Sequence, residues 1–223
     1  MFTDVELSRQ CQLAFSEHVS PSLNTTSNTP LKSPHSTTSI ASEAVEESSG
    51  GTAPSSSSGV RKAVKTELAI QLLTTGYWPT YPTYPNLILP PELTLLMTQF
   101  QQFYESHYQG RRLTWAHALE RCVVIGWFPK KRHELEVSLL QALVLRCFNS
   151  ADKLSFSDVM KMTGIEAEEL KRTLLSLSNG MQGTHVLKKE PKGRDCLETD
   201  SFLFNAQFTN PAIRIKINTI QVK

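Results

Sequence analysis

The chain has 223 residues, and its 23 Lys and Arg residues nearly balance its 21 Asp and Glu residues. The net charge of +2 gives no strong overall field toward nucleic acid or an anionic membrane, so we expect local surfaces to choose the partners. Acidic residues stand near the N-terminus, where a secretory signal would carry basic ones, and no run approaches the ~20 apolar residues of a membrane span. We therefore expect a protein of the nucleus and cytoplasm that makes no membrane contact.

Four cysteines are scattered along the sequence, without a Cys-x-x-Cys pair and without a histidine at metal-ligand spacing. They are Cys11, Cys122, Cys147 and Cys196. This pattern is typical of reduced thiols and predicts neither a metal site nor a cofactor. The sequence also has no phosphate loop, zinc-protease motif or nucleophile elbow. We therefore expect no catalytic residue and no small-molecule substrate.

Residues 1–18 place apolar side chains at roughly helical spacing, which predicts an amphipathic helix. Its apolar positions are Phe2, Val5, Leu7, Leu13 and Phe15. Residues 19–64 are dominated by Ser, Thr and Pro, a composition that cannot bury enough apolar surface to offset chain entropy, so we expect disorder there. This segment is either a passive insertion or a regulatory one, phosphorylated at sites such as the Ser33-Pro34 step.

Alternating residues at 68–72 predict a strand, and Gly76 then permits a tight turn into an aromatic, proline-rich connection over residues 77–85. That connection either forms a groove for a proline-rich peptide or packs on the chain itself. Pro91 is typical of the first turn of a helix, and the apolar spacing after it predicts one long helix that ends at Gly110.

Three further strands are predicted at residues 113–115, 122–125 and 134–137, and together they indicate a small sheet. The middle one is apolar on both sides, as in a central strand, while the third alternates as if one face were wet. Gly126 predicts a bulge, and residues 130–133 predict a basic hairpin tip.

Helical patterns at 138–149, 155–164 and 166–179 are followed by a predicted hairpin of residues 186–189 and 202–205. This order is typical of a winged helix, and the second helix of its helix-turn-helix, here residues 166–179, can enter the DNA major groove. Nucleic-acid binding is therefore the alternative function, supported by the basic wing residues and opposed by acidic residues at the start of the last helix. The basic set is Lys188, Lys189, Lys192 and Arg194, and the acidic set is Glu166, Glu168 and Glu169.

Several segments, in order and spacing, resemble the cullin homology region, and the Tyr77-Trp78-Pro79-Thr80-Tyr81 wording is most similar to the cullin-4 subtype. They are residues 72–80, 110–115, 134–141, 163–166 and 214–223, with residues 1–8 similar to the end of the family's four-helix bundle. The resemblance implies an α+β fold, with a small mixed sheet and long helix formed by residues 65–134 plus 209–221. It also implies that residues 135–206 form a winged-helix subdomain inserted into that fold.

The resemblance further implies a non-catalytic scaffold of a cullin-RING ubiquitin ligase. In cullins the sheet receives a strand from the RING-box subunit, which positions a ubiquitin-conjugating enzyme. The candidate strand residues are Leu113, Thr114, Trp115, Val123, Val124, Ile125, Ile213, Arg214, Ile215, Lys216 and Ile217. Ile213, Ile215 and Ile217 are expected to face the core and Arg214 and Lys216 the opposite side, although each strand could equally pair within the chain's own sheet.

The sequence also departs from a full cullin. We expect this chain to be a fragment that lacks both the family's N-terminal helical repeats and the later winged helix with the lysine that receives NEDD8. Lys223 is not that lysine. A truncated gene product without an independent role is a third, blander possibility.

Overall fold

The computed structural model describes residues 2–22, 66–180 and 183–220. The predicted disordered segment lies outside the described residues from position 23 onward, and its first residues belong instead to the first helix. The chain divides into two compact units, Met1–Leu72 and Leu73–Lys223. Among the described residues, no helix is both long enough and apolar enough to cross a bilayer.

The first unit contains α1, Phe2–Ser22. The helix is confirmed, but its predicted apolar face is wrong in part: Phe15 is buried as predicted, whereas Val5 and Leu13 are 61% and 54% exposed. The buried side chains follow a different helical stripe, which mixes polar and apolar residues. Among the described side chains of α1 these are Asp4, Ser8, Cys11 and Phe15.

Polar side chains of α1 hold the backbone of the segment that follows the undescribed stretch. The Ser8 hydroxyl accepts a hydrogen bond from the Leu72 N–H at 2.8 Å. The Gln12 amide accepts from the Ile70 N–H at 2.7 Å and donates to the Leu68 carbonyl at 3.2 Å. The predicted strand at residues 68–72 is therefore wrong, since side chains of a helix and not a neighbouring strand satisfy its backbone.

The second unit contains all other elements. They are α2 Pro91–His107, a 3₁₀ turn His117–Leu119, β1 Arg121–Trp127, β2 Arg132–Ser138, α3 Leu139–Cys147, β3 Lys153–Ser155, α4 Phe156–Thr163, α5 Ala167–Ser178, β4 Leu187–Glu190, β5 Ser201–Phe204 and β6 Arg214–Lys216. The long helix α2 is confirmed, with proline in its first turn and one apolar face buried. Its buried residues are Met97, Phe100, Phe103 and Tyr104.

The first sheet has the strand order β1-β2-β6, with β1 antiparallel and β6 parallel to β2. The prediction that residues 122–125 form the central strand is wrong, because β2 lies in the centre and β1 at an edge. Residues 113–115 form no strand and lead instead into the 3₁₀ turn. The register between β1 and β2 continues unbroken through Gly126, so the predicted bulge is also wrong.

The winged-helix arrangement of α3, α4, α5 and a hairpin is confirmed. Capping boxes start two of its helices: the Ser138 hydroxyl and Gln141 start α3, and Ser155 and Asp158 start α4. Gly164 ends α4 in the left-handed region at a φ of 67°. The hairpin strands pair in a second sheet of order β3-β5-β4, in which β3 was not predicted.

One hydrophobic core joins the first sheet to the winged helix. Its fully buried members include Val137 of β2, Phe156 of α4, Leu170 and Leu174 of α5, and Ile217 just after β6. At roughly 25 cal/mol per Å² of buried apolar surface, such shared burial fixes the sheet against the helices behind it. The core therefore backs one face of this sheet.

Candidate protein-binding edge and face of the first sheet

The structure brings together two of the three predicted binding segments. Val123, Val124 and Ile125 lie on β1, and residues 214–216 form β6 on the other side of β2. Residues 113–115 lie outside the sheet, and the Trp115 ring packs edge-on against Phe100 of α2 at 6.0 Å between ring centroids. The segment of residues 113–115 thus packs with the long helix α2 and not with the sheet.

The edge of β1 is the longer of the two open edges. All seven of its residues are in register with β2 on one side, and no other described strand pairs with its second side. At about 3.3 Å per residue this edge runs for roughly 23 Å and presents a row of backbone N–H and C=O groups. The β6 edge offers only three residues. By length alone, β1 is the better template for an added strand.

The inward face of the sheet is apolar and packs on the core. Val124 of β1, Leu135 and Val137 of β2, and Ile215 and Ile217 in and after β6 supply this face. Ile215 and Ile217 face the core as predicted. The prediction for Ile213 is wrong: its side chain is 57% exposed, because the residue precedes β6 and is tied to the sheet by its carbonyl, which accepts from the Glu134 N–H at 2.8 Å.

The outward face is charged on β2 and β6. The Glu136 carboxylate lies 3.5 Å from the Arg214 guanidinium and 4.0 Å from the Lys216 ammonium, and Glu134 lies 3.2 Å from Arg132. Arg214 and Lys216 therefore point away from the core, as predicted. On a solvated surface each such ion pair contributes at most about 1 kcal/mol, so these pairs help to fix the register of the strands more than they stabilise the sheet.

The outward face is apolar on β1, where Val123, Ile125 and Trp127 alternate with the inward residues. Val123 is 53% and Trp127 60% exposed. Trp127 was not singled out in the sequence, although the alternation that includes Val123 and Ile125 extends to it. The Arg132 guanidinium lies 5.9 Å from the centre of the Trp127 ring, within cation-π range.

The predicted basic tip is smaller than its sequence suggests. Lys130 and Lys131 lie in the exposed turn, but Arg132 and His133 belong to β2. His133 is almost completely buried, with Nδ1 2.9 Å from the Ala212 carbonyl oxygen and its ring between two phenylalanines. Its side chain supports the core and is not available to a phosphate.

Comparison with known proteins identifies the family of this chain. A model of the cullin alpha+beta domain matches residues 72–208. The chain belongs to the cullin family. It is 45% identical to mouse (Mus musculus) cullin-4A and 43% identical to human (Homo sapiens) cullin-4A, each over 70% of this chain and 20% of the relative. It is 40% identical to cullin-3A of Arabidopsis thaliana over 69% of this chain and 21% of that protein. The chain thus spans about a fifth of the length of these relatives.

In this cullin chain the helix that would read DNA is covered. Only Glu168 of α5 is exposed, whereas the major-groove helix of a DNA-binding protein needs a free face. The loop before α2 packs on the turn that leads into α5: the Ile88 N–H donates to the Thr163 carbonyl at 2.9 Å. A Cβ atom on Gly164 would collide with the Asn86 carbonyl oxygen. The turn is therefore a packing surface, and the nucleic-acid alternative is not favoured.

The same loop bears on the two alternatives for the aromatic connection. Tyr84 and Leu87 pack against the core, as a self-packed connection requires. The Tyr84 hydroxyl is 3.5 Å from a Glu169 carboxylate oxygen. Burial is the largest cause that raises the pKa of Tyr84. Tyr77, at the other end of the connection, is 82% exposed. Tyr84 and Leu87 therefore hold the end of the loop against the core, while Tyr77 at the start of the connection is exposed.

The wing of this cullin uses one of its four basic residues internally. The Lys189 ammonium lies 2.9 Å from the Asp200 carboxylate, and both side chains are buried, at 4% and 1% exposure. Burial alone would raise the pKa of Asp200, but the Leu197 N–H and the Lys189 ammonium outweigh it and lower that pKa. Lys189 is thus committed to the fold.

Three of the four thiols are poor nucleophiles. Burial, helped by the charge of Asp200, raises the pKa of Cys196 to about 11, and burial also raises the pKa of Cys122 and Cys147. Across the described ranges, no group of three or more His, Cys, Asp and Glu side chains is arranged to hold a metal ion. The first sheet thus remains as the candidate functional site of the described residues.

Proposed function

We propose that this chain acts as a scaffold segment of a cullin-RING ubiquitin ligase and that β1 accepts a strand from the RING-box subunit. The observation that carries the proposal is the open edge of β1, seven residues long, paired with β2 and backed by the core. A strand added there gains main-chain hydrogen bonds along its whole length, which supply affinity without a particular sequence.

Side chains supply the specificity of such an addition. Alternate residues of the incoming strand would lie beside Val123 and Ile125 on the outward face, and beside Cys122 and Val124 on the inward face. Apolar or β-branched residues on the incoming strand fit both rows. Among the predicted segments, β1 is thus the leading docking strand and β6 the secondary one, while residues 113–115 lie outside the sheet.

The role that follows is catalysis by proximity. The RING-box subunit would bring a charged ubiquitin-conjugating enzyme close to a substrate, which raises the effective concentration of the reacting groups. The scaffold itself would contribute no acid, base or nucleophile, and it would need no cofactor. We propose the nucleus and cytoplasm as its location, where a ubiquitin ligase scaffold meets its substrates.

Co-purification combined with hydrogen exchange tests the proposal. The full chain is co-expressed with a RING-box protein, and amide exchange is compared between the free chain and the complex. Strand addition predicts slower exchange at alternate residues of β1, because only every second backbone group points to the open edge. Amides of β4, in the wing, serve as the internal control and should exchange equally in both states.

Three results would contradict the proposal. Failure of the two proteins to co-purify would remove the RING-box subunit as a partner of this chain. A stable complex in which β1 exchanges as fast as in the free chain would keep the partner but remove β1 as the docking strand. Protection confined to residues 214–216 would assign the site to β6 instead.

A further inference from the structure

The outward face of β1 is largely apolar, whereas the outward faces of β2 and β6 are charged. An antiparallel strand with one wet face normally carries polar residues there, and β2 does so with Glu134 and Glu136. On β1 the positions opposite those two glutamates are Ile125 and Val123, and the next outward position is Trp127. Three consecutive outward side chains are therefore apolar. Val123 and Trp127 are exposed and Ile125 between them is half-buried, and an apolar stripe of this kind on an open sheet face indicates an interaction surface.

Positive charge borders this apolar stripe at both ends. Arg121 begins β1 on the same outward face, and no other described residue forms an ion pair with it. Arg132 lies opposite Trp127 at the other end and reaches over its ring. The whole outward face carries four cations, Arg121, Arg132, Arg214 and Lys216, against two carboxylates, Glu134 and Glu136. The face therefore has a net charge of +2 (4 − 2), and it favours an acidic partner.

The spacing of the stripe matches a helix. Outward residues on a strand repeat about every 6.7 Å, so Val123 and Trp127 are about 13 Å apart. Helical residues four apart repeat every 6 Å along the axis, so side chains at i, i+4 and i+8 would span about 12 Å. A helix lying along β1 could thus place one apolar side chain near each member of the stripe. Exposed Trp and Arg are also the residue types that dominate binding energy at interfaces.

We propose that the outward face of β1 binds an amphipathic helix of another protein, with apolar side chains at i, i+4 and i+8 over Val123, Ile125 and Trp127. Acidic residues at the two ends of that helix pair with Arg121 and Arg132. This surface differs from the docking edge, because strand addition uses backbone groups in the plane of the sheet, whereas the helix contacts side chains that stand perpendicular to it. Both partners can therefore bind at once.

Two fluorescein-labelled peptides of about 15 residues, the length at which isolated helices become marginally stable, serve as the probes. Both carry leucine at three positions spaced four apart on an alanine-rich helix, and one has Glu at both ends where the other has Lys. The full chain is titrated into each at low salt, and binding is followed by fluorescence anisotropy. We expect the Glu-ended peptide to bind at least ~10-fold more tightly than the Lys-ended one.

Substitutions assign the binding to this surface. Trp127→Glu should weaken binding of the Glu-ended peptide ~30-fold or more, because it removes the largest apolar anchor, at one end of the stripe, and adds a like charge. The double variant Arg121→Glu, Arg132→Glu should reverse the preference and favour the Lys-ended peptide. Leu197→Glu is the matched control: this leucine is also 60% exposed but lies between β4 and β5, so binding should not change.

Three outcomes would overturn the proposal. The first is no binding of the Glu-ended peptide to the unmodified chain. The second is equal loss of binding in Trp127→Glu and Leu197→Glu. The third is self-association of the unmodified chain in sedimentation that Trp127→Glu abolishes, since a second copy would then be the occupant of the stripe.

Discussion

Replacing Gln141 with leucine tests the buried polar link between α3 and α5. The side chain is completely buried and satisfies two partners: its oxygen accepts from the Ser138 N–H at 2.9 Å, and its nitrogen donates to the Ser176 hydroxyl at 2.8 Å. Leucine has nearly the same volume, so little or no cavity forms. The substitution therefore isolates the hydrogen bonds from the packing.

The magnitude follows from what each partner loses. The half-buried Ser138 N–H loses its acceptor, and half of the capping box of α3 goes with it, at a cost of about 1 kcal/mol. The buried Ser176 hydroxyl still donates to the Thr173 carbonyl at 2.6 Å, but its oxygen no longer accepts a hydrogen bond from the Gln141 amide, which costs about 1 to 3 kcal/mol. Leucine regains about 1 kcal/mol through apolar burial. We expect a net loss of about 2 kcal/mol, or a Tm lower by roughly 4 to 8 °C.

Urea unfolding of the full chain, followed by circular dichroism, measures this loss. Gln101→Leu is the matched control, because Gln101 is exposed on α2 and its side chain bonds the exposed Glu105, so its loss should stay below about 0.5 kcal/mol. Adding Ser176→Ala to Gln141→Leu should cost less than the sum of the single variants, since both ends of the bond are then gone. A Gln141→Leu variant within about 0.5 kcal/mol of the unmodified chain, or strict additivity in the double variant, would refute the reasoning.

Three further predictions concern backbone, charge and thiol. Gly164→Ala combines a left-handed φ with a backbone collision and should cost more than about 3 kcal/mol, whereas Gly110→Ala, also left-handed but open, should cost about 1; equal losses in urea unfolding would contradict this. Lys189→Met should cost about 3 to 5 kcal/mol at neutral pH by stranding the buried carboxylate of Asp200. Because the folded pKa of Asp200 is lowered, its contribution to the stability of the fold is complete above its unfolded pKa of about 4 and is lost as pH falls through the lower folded pKa. If the free energy of unfolding of the unmodified chain does not decrease over this pH range, the pair does not contribute to stability. With its pKa raised to about 11, Cys196 should react with iodoacetamide about 100-fold more slowly in the folded chain than in urea, as measured by peptide mass spectrometry, and equal rates would show that the thiol is not buried.

Local signals in the sequence predicted the helices of the second unit well. The Ser155 and Asp158 capping box and the left-handed Gly164 fix both ends of α4, and these are interactions between near neighbours. The order of the strands could not be predicted in the same way. Alternation in β2 reports that one face is wet, and the apolar run in β1 reports that neither face is strongly polar, but neither pattern states which strand has two neighbours.

The candidate site was predicted only in part, because the pattern within one strand does not state where that strand lies in the sheet. Val123, Val124 and Ile125 form an apolar run, and such a run predicts a sheet centre because its outward residues are apolar as well. Residues 113–115 have strand propensity but no strand partner, so tertiary context overrode that propensity. The pairing of Ser8 and Gln12 with a distant backbone left no pattern at all, because polar side chains on a helix usually indicate solvent.

The pairing of β2 with β6 has a consequence for the order in which the chain folds. Glu134 pairs with Arg214, eighty positions later, and the whole winged helix lies between them in sequence. Contacts between such distant residues are slow to form, because loop closure opposes them until the intervening chain is compact. We expect the winged helix to form first and to bring the ends of β2 and β6 together. During synthesis β2 has only β1 as a neighbour until residue 216 emerges, so completion of the sheet depends on the subdomain inserted into it.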